Sequence, residues 1–200
     1  MKKYLLLAVA VMVMSGAFAQ EEAEEKGGFN PDNLFTGGSI SLSFFNNTFL
    51  VGASPMLGYK LGGFADAGLL MNIQYSSIRD YAVFDDRLRQ TLYGGGAFAR
   101  VYPLPFLFAV GQVEHNWLTQ KYLPPGNTGT TIRTTDQANS VLVGAGYCSG
   151  RLRKSNTGFF YMSVLWDVSG NENSPYTDSY GRAVPVIKAG VNIPLSFKAK

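Results

Sequence analysis

The 200-residue chain carries 17 basic and 14 acidic residues, one histidine and one cysteine, and 46% of it is hydrophobic against 16% charged. A charge so near balance offers nothing to nucleic acid, and the lone Cys148 excludes an internal disulfide and reads as a small strand residue. Beyond the first residues, no stretch is continuously apolar for the ~20 positions that a transmembrane helix needs.

In chain order, residues 1–19 read as a signal peptide. Lys2 and Lys3 form its positive start, LLLAVAVMVM its apolar centre and Ala17-Phe18-Ala19 a cleavage site, so cleavage is expected after Ala19. Gln20 follows in place of a cysteine, which leaves no thiol there for lipid attachment. Residues 20–33 open on the acidic QEEAEEKGG and lack apolar periodicity, so a flexible periplasmic N-terminal segment is expected. The remainder, 34–200, has the length of one domain.

That domain begins with GSISLSFF, in which Ser39, Ser41 and Ser43 alternate with Ile40, Leu42 and Phe44. Period two marks a strand with unlike faces. Alternation and turn signals continue this into eight strands, at about 35 to 45, 49 to 61, 64 to 76, 88 to 102, 106 to 118, 139 to 150, 158 to 168 and 184 to 197. No segment reads as a helix. Most are longer than the ~5 to 6 residues usual in globular sheets and match the ~9 to 11 of a tilted membrane strand.

The connections alternate in length. LGGF, Pro103-Leu104-Pro105 and the run from Arg151 to Thr157 are short. IRDYAVFDDR, QKYLPPGNTGTTIRTTDQ and SGNENSPYTDSYGRA are long, and only Asn46-Asn47 is short where length is expected. Short periplasmic turns and long external loops give this rhythm in an up-and-down membrane barrel, whose even strand count leaves both termini in the periplasm. The fold expected is therefore all-β, an eight-stranded antiparallel up-and-down transmembrane β-barrel in the outer membrane.

Charge assigns the faces. Lys60, Asp66, Arg100, Glu114, Asp167 and Lys188 are the ionisable strand residues besides His115, and each shares a face with Gly, Ser, Asn or Gln. The opposite face carries residues such as Leu57, Leu69, Met71, Ile73, Phe160 and Ile187. The polar face must then look into the barrel and the apolar face at lipid. Positive and negative interior groups balance, which predicts a plug of paired charges in a lumen just wide enough for side chains to fill. Lys60 and Asp66 flank Gly62-Gly63 symmetrically and should oppose each other, while Glu114, Asp167 and Lys188 should form a second cluster toward the external end. Aromatic girdles are expected at the interfaces: Phe44, Phe49, Tyr75, Trp117 and Trp166 externally, and Tyr59, Phe64, Tyr102, Phe106 and Phe197 on the periplasmic side.

Leu142-Val143-Gly144-Ala145-Gly146-Tyr147, Leu165-Trp166-Asp167, Ser174-Pro175-Tyr176 and Pro185-Val186-Ile187-Lys188-Ala189-Gly190 resemble the second half of small Gram-negative outer-membrane β-barrel proteins of the OmpA/OmpX eight-stranded type. Ser54-Pro55, Gly58-Tyr59 and Phe98-Ala99-Arg100 look like their first half. The resemblance implies the architecture, contact with outer-membrane lipid and lipopolysaccharide, and handling by the barrel-insertion machinery. Its motifs carry no known chemistry. Such barrels commonly end on an aromatic residue, whereas Lys198-Ala199-Lys200 here follow Phe197.

Chemical motifs are weak. His115 shares its face with Val113 and Trp117, and Trp117 stands where a lipid A deacylase would place its serine. GAGYCSG is spaced unlike a dinucleotide fingerprint, Gly94-Gly95-Gly96 lacks the Lys-Ser/Thr of a P-loop, and Asp80, Asp85, Asp86, Asp136, Glu172 and Asp178 lack calcium-loop spacing and read as solvated loop charge. No enzyme activity, cofactor or metal is expected. The function expected is a largely closed barrel with a structural or surface-interaction role through its external loops, with an unidentified surface partner. The alternative is transport of small apolar molecules along Leu50, Met56, Leu70, Leu92, Phe98 and Leu142; a lipid-modifying enzyme comes third.

Overall fold

A computed structural model describes residues 29–127, 131–149, 151, 158–171, 174–178 and 180–195. The signal peptide, the acidic lead-in to Gly28, Glu172, Phe197 and Lys198 to Lys200 lie outside the described residues. Eight strands run in chain order: β1 Leu34–Phe45, β2 Thr48–Leu61, β3 Ala65–Arg79, β4 Arg87–Leu104, β5 Leu107–Leu123, β6 Ile132–Cys148, β7 Phe159–Asp167 and β8 Val186–Pro194. Each pairs antiparallel with the next and β8 pairs back to β1, closing an up-and-down barrel without edges. This is the architecture that the OmpA/OmpX-type resemblance implies. No described helix is long and apolar enough to cross a membrane.

The faces are sorted as in no water-soluble barrel. Ser41 is 1% exposed and Ser43 2%, whereas Ile40 is 63% and Phe44 66% exposed. Leu57, Leu69, Met71, Ile73, Phe160, Met162 and Ile193 continue the apolar exterior around the ring. A belt of that extent is solvated by hydrocarbon, not by water.

Strand bounds depart from expectation chiefly at the β5–β6 hairpin. Residues from Thr119 and up to Ala138 read as loop because they lack the apolar alternation of a lipid-facing strand, yet Thr119↔Thr135, Lys121↔Arg133 and Tyr122↔Ile132 pair beyond the belt. Backbone pairing needs no apolar face, so water ends the alternation and leaves the strand intact. The first loop is the two-residue turn Asn46-Asn47, with both φ positive at 46° and 59°, a geometry that asparagine tolerates and that suits the twist of paired strands. The lead-in is ordered at its end, where Pro31–Asn33 forms a 3-10 turn before β1.

The interior is packed. Phe35, Leu50, Met56, Leu70, Phe98, Tyr102, Phe108, Leu142, Tyr161 and Leu165 form one buried cluster. Glycines make room for the rings: a methyl at Gly58 would overlap Phe35, and one at Gly146 would overlap Phe108. That is the role of Gly146 in GAGYCSG. Tyr102, assigned by sequence to a lipid-facing girdle, points inward and is 6% exposed, because it continues the inward alternation of Phe98 and Arg100 along β4.

Candidate functional site: a lumen sealed at two levels

The short turns gather at one end of the barrel, the turn end, and the long connections at the other, the loop end. At the turn end, Lys60 opposes Asp66 in register as expected, and Asp66 also opposes Arg100. The ion pair expected between Lys60 and Asp66 is nevertheless replaced by one to Arg151, at 2.8 Å. Lys60 sits half-buried at the rim, whereas Arg151 folds back beneath the lumen, donates to the carbonyls of Gly62, Gly63 and Ala65, and lays its guanidinium 4.0 Å from the Tyr102 ring centre. The Tyr102 hydroxyl donates to the other Asp66 oxygen at 2.7 Å. A shared register position brings two backbones together, but the Arg151 guanidinium can meet one carboxylate oxygen and the turn carbonyls at once, leaving the second oxygen to the Tyr102 hydroxyl.

Arg100 has no carboxylate partner among the described residues. Its guanidinium lies 4.1 Å from the Tyr161 ring centre, 4.9 Å from Phe98 and 5.4 Å from Phe108, and donates to the Met56 sulfur at 3.6 Å. Desolvated contacts of a cation with ring faces are each worth up to ~2 kcal/mol. The expectation of paired charges thus gives way here to a cation held in an aromatic box.

The second cluster lies toward the loop end. Lys188 pairs with Glu114 at 3.4 Å, and Glu114 also accepts from Gln112, from Asn116 at 3.1 Å and from the Tyr176 hydroxyl at 2.6 Å. Asn72 donates to Asn116, and Ser54 to Asn72, extending the network across the lumen. Asp167 joins through Ser174, which donates to it, and accepts the amides of Val141 at 3.2 Å and Ser169 at 2.8 Å. Ser174 and Tyr176 belong to the β7–β8 connection, which therefore dips into the barrel mouth. Tyr176 is 1% exposed and Val184 is fully buried. Between the two clusters, the space lined by Arg100, Ser163, Leu165 and Lys188 measures about 10 Å³, the threshold for a single water.

Above this stopper the loops are ordered by carboxylates that sequence reads as solvated. Asp86 is buried and accepts the amides of Tyr81, Ala82 and Val83 at 2.5 to 3.0 Å, with the Tyr122 hydroxyl at 3.0 Å. Asp178 accepts the amides of Tyr180 and Arg182 at 2.9 Å, the Asn46 side chain at 2.9 Å and the Arg182 guanidinium. Burial alone would raise both carboxyls, but the hydrogen bonds outweigh it and hold each below its ordinary value. Asp80, Asp85 and Asp136 are exposed. Among the described residues no cluster has the makings of a metal site.

On the outer surface, Phe44, Tyr75, Trp117 and Trp166 project outward toward the loop end, and Tyr59 is partly exposed near the turn end. Phe44 packs on Phe49 at 5.1 Å and Trp117 on Tyr93 at 5.7 Å. His115 places its Nδ1 2.7 Å from the Asn139 side-chain oxygen and its ring edge-on to Trp117.

Sequence reasoning missed Arg151 and Tyr176, and neither carries an alternation signal, because both lie outside the strands. No protein-family model matches the chain, and no curated protein matches it. Among solved structures it is similar to Ail, the attachment invasion locus protein of Yersinia pestis, crystallised with the heparin analogue sucrose octasulfate, at 8% identity and a TM-score of 0.46 over 80% of this chain and 94% of that one. It is also similar to Neisserial surface protein A, at 13% identity and a TM-score of 0.39 over 81% of this chain and 96% of that one.

Proposed function

We propose that the chain is an integral outer-membrane protein with a sealed lumen, whose working surface is the set of loops held outside the cell. The observation that carries this reading is Tyr176, drawn from a loop into the barrel mouth and bonded to Glu114 above a packed interior. The apolar belt supplies the membrane contact, with lipopolysaccharide and the insertion machinery as the partners that such a barrel meets. The start of β1 and the chain just past β8 meet at the turn end, where the Leu195 amide donates to the Leu34 carbonyl at 2.9 Å, which supports reading this end as the periplasmic one.

The loops suit binding. Asp86 and Asp178 fix their backbones, so that Phe84, Tyr81 and Tyr180 stand exposed at little further entropic cost. Below them lies a polar hollow of about 520 Å³, lined by Gln90, Gln120, Thr177 and Tyr180 among others, within the range of small-ligand sites. The inner apolar residues Leu50, Met56, Leu70, Phe98 and Leu142 pack against one another and the aromatic rings, which favours closure over transport of apolar molecules. Planar-bilayer recording of the purified protein tests the reading: no stepwise current is expected, and stable unitary conductance would replace closure with passage.

A further inference from the structure

Two features left without a role by the sealed-barrel reading, the run Gly94-Gly95-Gly96 and the sole histidine, meet in one place on the outer face. There a furrow of about 630 Å³ crosses from β2 to β5. Its floor is the glycine run, one wall is Leu57, Leu69 and Met71, and the other is His115 and Trp117. Gly95 lies directly opposite His115 in register, so the floor drops away beside the imidazole.

A polar ring in a hydrocarbon belt is costly and needs hydrogen-bond partners. His115 sits one lipid-facing position inward of the Trp117 and Tyr93 stack, just below the interface, and its cross-strand neighbour Asn139 bonds its Nδ1. In either tautomer that bond uses one ring nitrogen and one end of the amide. The pair then retains one hydrogen-bond donor and one acceptor, with His115 on the furrow wall and Asn139 beside it on β6.

Resting on the outer-membrane reading above, we propose that this furrow seats one acyl chain of lipid A, with His115 and Asn139 bonding the linkage of that chain to its sugar. The chemistry selects the occupant. Chains joined to glucosamine by amide bonds and bearing 3-hydroxyls offer both a donor and an acceptor just beneath the headgroup. The acyl esters of a phospholipid offer acceptors alone and would leave one member of the pair unmet.

Purified hexa-acylated lipid A and phosphatidylglycerol serve as probes for the detergent-refolded protein, with binding read by native mass spectrometry and folding by heat-modifiable migration on gels. The wild type should retain one lipid A and prefer it to phosphatidylglycerol. His115→Leu and Asn139→Leu should fold normally, since both make the belt more apolar, and should each weaken lipid A binding about 2- to 10-fold, the value of one hydrogen bond. Gly95→Leu, which fills the floor, should abolish it. Undiminished lipid A binding by folded His115→Leu, or equal affinity for the two lipids, would overturn the proposal and leave the barrel standing. Absence of any heat-modifiable form in the wild type would overturn both.

Discussion

The two ends of the lumen meet their buried carboxylates differently. At the turn end, Asp66 depends on one guanidinium and one phenol, Arg151 and Tyr102. At the loop end, Asp167 is held by amides and a serine, and Glu114 spreads its bonds over Lys188, Tyr176, Asn116 and Gln112. One arrangement concentrates the charge balance in a single side chain, and the other distributes it over several donors. Loss of one donor should therefore be felt most at the turn end.

Arg151→Met puts the largest strain on that contrast. It leaves Asp66 charged and 1% exposed without its ion partner, and breaking a buried pair from one side costs ~3 to 5 kcal/mol. Urea unfolding midpoints of the refolded barrel in detergent should fall accordingly. Adding Asp66→Asn removes the orphan charge and should restore much of the loss. A small effect of Arg151→Met alone would mean that the turn end is as distributed as the loop end.

Tyr176→Phe probes the other side. The ring still fills the mouth, while Glu114 loses one of its donors; a hydrogen bond to a charged group is worth ~1.5 to 3 kcal/mol, and the remaining donors should hold the loss near the lower figure. Unfolding midpoints measure the shift, and bilayer recordings should stay silent because the stopper remains in place.

The loops extend the distributed pattern into water and give it a pH dependence. Asp86 has a folded pKa below its unfolded value of about 3.9, because the amides of Val83, Ala82 and Tyr81 and the Tyr122 hydroxyl outweigh its burial. Its contribution is therefore complete above that unfolded value and is lost as pH falls through the lower folded one. Limited proteolysis of the β3–β4 loop should stay slow down to about pH 4 and quicken below it, whereas Asp86→Ala should be cut readily at neutral pH.

The same contrast explains what the sequence made legible. Barrel, faces and the positions of Asp66, Glu114, Asp167 and Lys188 follow from period-two alternation, which a strand imposes on every residue it contains. The partners do not follow. Arg151 and Tyr176 reach the lumen from connections, where side-chain direction has no period, and the donors to Asp86, Asp167 and Asp178 include backbone amides, which no residue type announces. Charge counting gave a balanced interior with Lys60 in it, yet Lys60 lies at the rim and Arg151 takes its place; a count cannot tell which of two cations is buried.

Lys60 offers the smallest effect and the sharpest check on that substitution of partners. It lies opposite Asp66 in register, so proximity alone makes it the natural ion partner, but it is half-buried with water at hand. Pairs near solvent contribute ~0.2 to 1 kcal/mol, so Lys60→Met should move the urea midpoint by no more than that while Arg151 is present. In the Arg151→Met background, Lys60 and Arg100 are the cations left opposite Asp66, and removal of Lys60 should cost clearly more than in the wild type. The double-mutant cycle would then close with a coupling between two residues that do not bond each other, each mattering more when the other is gone. If Lys60→Met alone were as damaging as Arg151→Met, the register pair would be the true ion pair and the turn end would have been assigned to the wrong cation.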